Sequence, residues 1–170
     1  MIETARFRLR ARGPEDADAL FPAMSDPVVM TWWSRRAFET VDELRNYFAV
    51  PDGSDPWRAW AITRINEERA IGFVAAGEKR IGVSEIGYLL APEAQGQGVA
   101  REAVGGVVGW LFKQGQRRLF ADTDPENRGS IALLERLGFR REGHLRAEWQ
   151  THIGVRDSLI YGLLADEWQG

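Results

Sequence analysis

Ile86-Gly-Tyr-Leu-Leu-Ala-Pro-Glu-Ala-Gln-Gly-Gln-Gly-Val-Ala-Arg-Glu-Ala103 runs from an apolar, strand-like segment through a glycine-punctuated loop into a helical pattern. Gly96 and Gly98 remove the side chains that would hold a ligand off the backbone. From Val99 a helix begins whose free N–H groups and positive dipole end face the loop. The stretch therefore reads as a cradle for a pyrophosphate. Spacing separates the phosphate loops that fit that description. A Walker loop ends in Gly-Lys-Ser/Thr, where this chain has Gly98-Val99-Ala100, and a dinucleotide fingerprint needs a third glycine where Arg101 stands.

Outward from the loop, the pattern alternates between strand and helix. Phe7 to Arg10 is a short first strand, and Gly13-Pro14-Glu15-Asp16 opens a helix running towards Met24 despite Pro22. Thr40-Val-Asp-Glu43 is a capping box that introduces a second helix to about Val50, and Asp52-Gly-Ser-Asp-Pro56 breaks it. Trp57 to Ile65 and Ala70 to Ala76, joined by the polar turn Asn66-Glu-Glu68, form an antiparallel hairpin. Ser84 to Leu90 is the strand before the loop. The helix after the loop shows apolar residues at helical spacing through Leu111 and ends at Gly115; Gly105, Gly106 and Gly109 weaken it and imply close packing on the sheet. A strand at Arg118 to Ala121, a helix from Gly129 to Leu137 with Asn127 near its start, and strands at Phe139 to Leu145 and Ser158 to Leu164 complete the order βααβββαβαββ. Periodicity alone gives an α/β or α+β fold with one sheet.

Composition bounds the function. With 170 residues, 44% hydrophobic and 28% charged, the chain is long enough for one domain with a sizeable core, and no repeat or composition shift marks a second within residues 1–170. A net charge of −3 carries no nucleic-acid footprint. No apolar run approaches a membrane span and Met1-Ile-Glu-Thr lacks a secretory pattern, so a cytoplasmic protein with no membrane partner is expected. The absence of cysteine excludes disulfides, thiolate metal sites and a cysteine acyl-enzyme. His144 and His152, eight apart with no Glu-x-x-His partner, give no expectation of a metal, and no Gly-x-Ser-x-Gly elbow supports a covalent serine intermediate.

Gln95-x-x-Gly98-x-Ala100 resembles the acyl-CoA pyrophosphate motif of the GNAT superfamily of N-acetyltransferases, Gln/Arg-x-x-Gly-x-Gly/Ala. Asn127-Arg-Gly-Ser130 followed by Leu133-Leu-Glu-Arg-Leu-Gly-Phe139 resembles the ribosomal-protein N-acetyltransferase (RimJ/RimL-like) branch. So do the opening Thr4-Ala-Arg-Phe-Arg-Leu-Arg10, the Glu85 to Tyr88 segment, and Glu142-Gly-His-Leu-Arg146 with Asp157 and Tyr161-Gly-Leu-Leu164. The resemblance spans nearly the whole chain in order. It implies a mixed, largely antiparallel central sheet flanked by helices, in which the strand before the loop splays from its neighbour to admit the pantetheine arm of acetyl-CoA.

The resemblance also implies roles. Gln95, Gly96, Gln97, Gly98, Val99 and Ala100 would bind the pyrophosphate; the Leu89 and Leu90 main chain would meet the pantetheine amides and the thioester carbonyl. Arg101, in the first helical turn, and Arg136, in the Leu-x-x-Leu-Gly-Phe segment, would approach the phosphates, and Asn127 would hold the cofactor or orient its loop. Many family members carry a Tyr, the thiolate's proton donor, where Leu134 stands here. In the RimJ/RimL-like branch that task falls to the Ser130 position, although a serine there also reads as a helix-start residue bonding its own backbone.

Transfer to an amine needs a base, because an alkyl ammonium is protonated at neutral pH. Strand alternation puts Glu85, Gly87 and Leu89 on one face, so Glu85 is the candidate base or else a solvated strand-end glutamate. Direct attack by the amine in a ternary complex is the mechanism that remains. Trp32, Trp33, Trp57 and Trp60 fall in the region that overlooks the acyl group in this fold. The acceptor is a peptide N-terminus, polyamine, amino acid or antibiotic, and the protein a monomer or homodimer. A non-catalytic acyl-CoA sensor would keep the loop without turning over any amine.

Overall fold

The computed structural model describes residues 1–49 and 57–170. In chain order they form β1 (Ile2–Glu3), β2 (Phe7–Ala11), α1 (Ala17–Met24), α2 (Val41–Phe48), β3 (Trp57–Arg64), β4 (Ala70–Arg80) and β5 (Val83–Leu90). There follow α3 (Val99–Lys113), β6 (Arg118–Thr123), α4 (Arg128–Arg136), β7 (Arg140–Thr151) and β8 (Gly154–Leu164). The strands make one sheet in the order β1-β2-β3-β4-β5-β6-β8-β7, antiparallel throughout except between β5 and β6. This is the expected mixed, largely antiparallel architecture.

Alternation along the strands sorts their side chains onto two cores. Trp60, Ile62, Val74, Ala76 and Ile86 pack with Val99, Ala103, Val104, Val107 and Val108 of α3 and Leu134 of α4. Ala61, Phe73 and Leu89 point the other way, to Leu20 and Met24 of α1 and Leu44 and Phe48 of α2. Leu20, Leu44 and Leu134 are fully buried, and burial of each such side chain contributes roughly 1.5–3 kcal/mol. The sheet thus separates a helix pair that carries the loop from a pair that faces the opposite side.

The feature that matters for function is a gap in the ladder. β5 and β6 pair only at Val83–Arg118, Ser84–Leu119 and Glu85–Phe120. Beyond Glu85 each strand follows its other neighbour: β5 stays on β4 as far as Gly72–Leu90, and β6 stays on β8 as far as Thr123–Leu159. The result is a V, closed at Glu85 and open towards Leu90, whose β5 edge has no strand partner on that side. The expected splay is present.

Several local expectations change. β1 leaves no sequence signal, because two residues paired to Leu9 and Arg8 are too few to show a period. The helix expected from Pro14 starts at Ala17, after a 3₁₀ turn at Pro14–Asp16. Buried Asp16 takes two bonds from Arg10, at 2.9 and 2.6 Å, and one from the Gly13 N–H at 3.0 Å, which fixes that turn. Only half of the Thr40 capping box forms. Thr40 Oγ1 accepts from the Glu43 N–H, but the Glu43 carboxylate reaches the Glu39 N–H and Arg35 instead. Val50 and the break at 52–56 lie outside the described residues. β4, β7 and β8 extend beyond their expected ends, to Arg80, Thr151 and back to Gly154, because the paired ladders carry polar residues that have no apolar period of their own. Gly115, at φ +92°, follows the last turn of α3 as expected. Gly106 does admit the sheet edge, since a Cβ there would come within 2.9 Å of Thr4 and 3.6 Å of Ile2 in β1, whereas Gly105 and Gly109 face the Trp168 ring.

Candidate active site

At the open end of the V the chain turns through Ala91 and a 3₁₀ turn at Pro92–Ala94 into the glycine loop. Gly96 (φ +72°) and Gly98 (φ +74°) are both left-handed, and Gly98 is the N-cap of α3. Left-handed residues on either side of Gln97 give the alternating handedness in which successive backbone N–H groups converge into an anion nest. A Cβ at Gly96 would meet nothing within 4 Å, and one at Gly98 only Arg6 Nη2 at 3.4 Å. The cradle is therefore open space at the positive end of a 15-residue helix. Gln95 holds its strand side, its Nε2 donating to the Leu90 carbonyl at 3.2 Å. Gln97 turns back, its Nε2 donating to the Glu93 carbonyl at 2.7 Å, and its side chain does not join the cleft.

One set of contacts around the loop is illegible in the sequence. Arg6 donates to the Gln97 carbonyl at 3.1 Å and to Glu102 at 2.7 Å, and the Arg6 N–H and Thr4 hydroxyl share the other Glu102 oxygen. Burial favours the neutral Glu102 carboxyl, but these donors outweigh it and hold its pKa below the ordinary value. The β1–β2 connection is thereby tied to the first turn of α3. Its sole trace in the sequence is the Thr4-Ala-Arg segment of the family resemblance.

The V opens into a cleft of about 1200 Å³. Gly96, Gly98, Val99, Ala100 and Arg101 line one end, Gly87 to Leu90 and Ala121 to Asp124 its two strand walls, and Asn127, Ser130 and Arg136 the α4 side. Apart from the Gln97 side chain and Trp60, the structure gathers the sequence-derived candidates here. No ion pair is formed by Arg101 or Arg136 among the described residues.

Ser130 does not bond its own helix. Its Oγ lies 2.8 Å from the Tyr88 hydroxyl, which reaches across from β5. Burial pushes the Tyr88 phenol up to about 12, although the Ser130 bond pulls the other way. Asn127 caps α4, its Oδ1 accepting from the Ser130 N–H at 3.2 Å. Asn127→Ala is expected to cost about 1 kcal/mol of stability, and Asn127→Ser much less, in urea unfolding. Leu134, at the family's usual tyrosine position, is fully buried. Tyr88 stands out in the sequence only as part of a segment, and its partnership spans 42 positions.

On the other face of β5, Glu85 and Gly87 share the side of Leu89, as alternation requires, since β4 and β5 stay in register from Glu85 to Leu90. A Cβ at Gly87 would meet nothing within 4 Å. Glu85 is not a solvated strand end: it is about one-fifth exposed and sits 3.3 Å from Lys79 Nζ. Trp32, Trp33, Tyr47, Trp57 and Trp149 add aromatic surface to this part of the cleft. Trp60 does not; it is buried on the opposite face against Trp110, with ring centroids 5.5 Å apart. Asp122 accepts from Trp149 Nε1 at 2.8 Å, and Arg156 clamps Asp124 at 2.7 and 3.0 Å. Asp157 is held low first by the Ala147 N–H and then by His144, 2.7 Å away. Among the described residues, no group of three His, Cys, Asp or Glu could hold a metal, and no helix is long and apolar enough to cross a membrane.

An acetyltransferase (GNAT) domain model matches residues 6–140. The uncharacterized N-acetyltransferase p20 of Bacillus licheniformis is 32% identical over 99% of this chain and 98% of its own. A spermidine N(1)-acetyltransferase of Vibrio cholerae is 26% identical over 85% of each. The crystal structure of a GNAT-family acetyltransferase from Bacillus anthracis superposes with a TM-score of 0.89 at 26% identity, covering 98% of this chain and 99% of that one. A splayed β5–β6 pair, a glycine nest at the head of α3 and a match over most of the chain converge: the protein belongs to the GNAT acetyltransferase family and is an N-acetyltransferase that takes acetyl-CoA as its acyl donor.

Proposed function

We propose that this protein, a single domain over residues 1–170 and of the RimJ/RimL-like branch, moves the acetyl group to a primary amine by direct attack in a ternary complex. The observation that carries the reading is the distribution of groups around Gly87. The main-chain N–H groups of Gly96 to Ala100, with Arg101 and Arg136, bind the pyrophosphate and phosphates, and the unpaired edge up to Leu89 and Leu90 offers main-chain partners to the pantetheine amides. An arm laid along that edge from the loop points to the closed end of the V, where Gly87 leaves room for the thioester. Glu85 then stands two residues away on the acceptor face, and the Tyr88–Ser130 hydroxyl pair stands on the α4 side.

Each group suits its task. Glu85 takes the proton from the acceptor amine, directly or through a water, once the acceptor displaces Lys79 from it. The Tyr88–Ser130 pair supplies a proton to the departing thiolate in place of the tyrosine that Leu134 lacks. Aromatic walls and the Asp122 and Asp157 carboxylates suit a cationic acceptor, a polyamine or a peptide N-terminus, while Asp124 is already neutralised by Arg156. Where acetyl-CoA and such amines meet is the cytoplasm.

Thiol release from acetyl-CoA, measured against polyamines, amino acids, aminoglycosides and N-terminal peptides, tests the reading; silence across the panel with coenzyme A still bound would leave a binding module. Glu85→Gln adds a sharper expectation. The amide keeps the fold and coenzyme A affinity, while the rate at neutral pH falls about 10²-fold or more and recovers partly at alkaline pH as free amine accumulates. Superimposable pH–rate profiles of variant and wild type would remove Glu85 from the mechanism.

A further inference from the structure

Lys79 occupies an unusual place. β4 and β5 pair at Glu78–Ser84 and again at Arg80–Val83, so Lys79 is the extra residue of a bulge and has no cross-strand partner. A bulge re-aims the side chain it carries. Here Nζ lies 3.3 Å from Glu85 and 4.4 Å from the centre of the Trp57 ring, and Lys79 lines the same cleft as Gly87, Ser130 and the glycine loop. Trp57 is itself laid over Gly77, where a Cβ would come within 2.9 Å of its ring. A primary amine is thus held against an aromatic face and a carboxylate, the surroundings that an alkylammonium acceptor requires.

We propose that Lys79 is a site of intramolecular self-acetylation. The inference rests on the proposed place of the thioester beside Gly87 and on Glu85 as base. Lys79 Nζ, having given a proton to Glu85 and through it to solvent, forms a bond to the thioester carbonyl carbon. The carbon–sulfur bond breaks and its electron pair leaves on sulfur; the thiolate takes a proton from the Tyr88–Ser130 pair, and the nitrogen's second proton passes to solvent, from which that pair is re-protonated. Lysine ammonium and acetyl-CoA give acetyl-lysine, coenzyme A and one proton. The product amide has no charge to pair with Glu85, so modification leaves that carboxylate without the cation that now neutralises it, and the chain gains one unit of negative charge.

Composition makes the test clean. Of 22 lysines and arginines only Lys79 and Lys113 are lysines, and Lys113 is exposed at the end of α3, outside the cleft. The purified full chain is incubated with acetyl-CoA and followed by intact mass and peptide mapping, with amine turnover measured on the same preparation. Lys79 is expected to be acetylated about 100-fold or more faster than Lys113, at a rate independent of protein concentration, because a tethered amine reacts at high effective concentration. Lys79→Arg should abolish the fast mass increment, and Gly98→Glu should slow it with the loss of coenzyme A binding. Labelling of Lys79 no faster than Lys113, or a rate that scales with protein concentration, overturns the proposal. If amines in the panel are still turned over, that result leaves the acetyltransferase mechanism standing; if they are not, both fall.

Discussion

Gly98→Glu is expected to weaken coenzyme A binding by about 100-fold or more. Two costs combine. The glycine sits at φ +74°, where an L-residue is strained by roughly 1–2 kcal/mol. The new carboxylate then stands where the pyrophosphate must lie, and two like charges about 4 Å apart near a protein surface repel by roughly 4 kcal/mol. At about 1.4 kcal/mol for each tenfold in affinity, the electrostatic part dominates. Gly98→Asn separates the two, since asparagine tolerates the left-handed region and adds no charge. Calorimetry should find the asparagine variant close to wild type and the glutamate variant nearly silent. Equal affinities for Gly98→Glu and wild type would take the pyrophosphate out of this loop.

Ser130→Ala and Tyr88→Phe are each expected to lower kcat by about 10²-fold while KM for acetyl-CoA changes little, because a proton donor to the thiolate acts in the transition state. The pair should be less than additive, since both changes break the same 2.8 Å contact. The pH dependence has a definite sign. Burial disfavours the Tyr88 phenolate, so the phenol remains a donor until pH approaches about 12 rather than ionising near 10. The same shift makes the folded state lose stability between these values, as the unfolded chain ionises first. An alkaline limb attributable to Tyr88 below pH 10 would contradict the assignment, and an unchanged kcat for Ser130→Ala under conditions where chemistry limits the rate would remove Ser130.

Features carried by neighbouring residues are legible in the sequence. Gly96 and Gly98 before a helical period specify the nest and the helix start within a few positions, and Asn127 three residues before Ser130 specifies the cap. Alternation fixes the shared face of Glu85 and Gly87, because no bulge interrupts β5 between them. The splay itself follows from family resemblance; no local pattern records that β5 and β6 part after three pairs. What escapes is long-range. Thr4 and Glu102 meet across 98 positions, Tyr88 and Ser130 across 42, and neither pairing leaves a periodic trace. Trp60 groups with Trp57 by proximity in sequence, whereas an odd separation on a strand puts the two on opposite faces. The Lys79–Glu85 pair depends on a bulge, which hydrophobic period does not reveal because Glu78, Lys79 and Arg80 are all charged.

The central claim is that the gap between β5 and β6 receives acetyl-CoA with its thioester beside Gly87. A crystal structure of the full chain with acetyl-CoA, or with a non-hydrolysable analogue and an active amine, tests it most directly. The expected result is pyrophosphate on the N–H groups of Gly96 to Ala100, the arm along Ile86 to Leu90, sulfur within reach of the Tyr88–Ser130 hydroxyls, and the amine on the Glu85 side. Density for the ligand outside the V, or a thioester on the far side of Leu90 from Glu85 and Ser130, would contradict it.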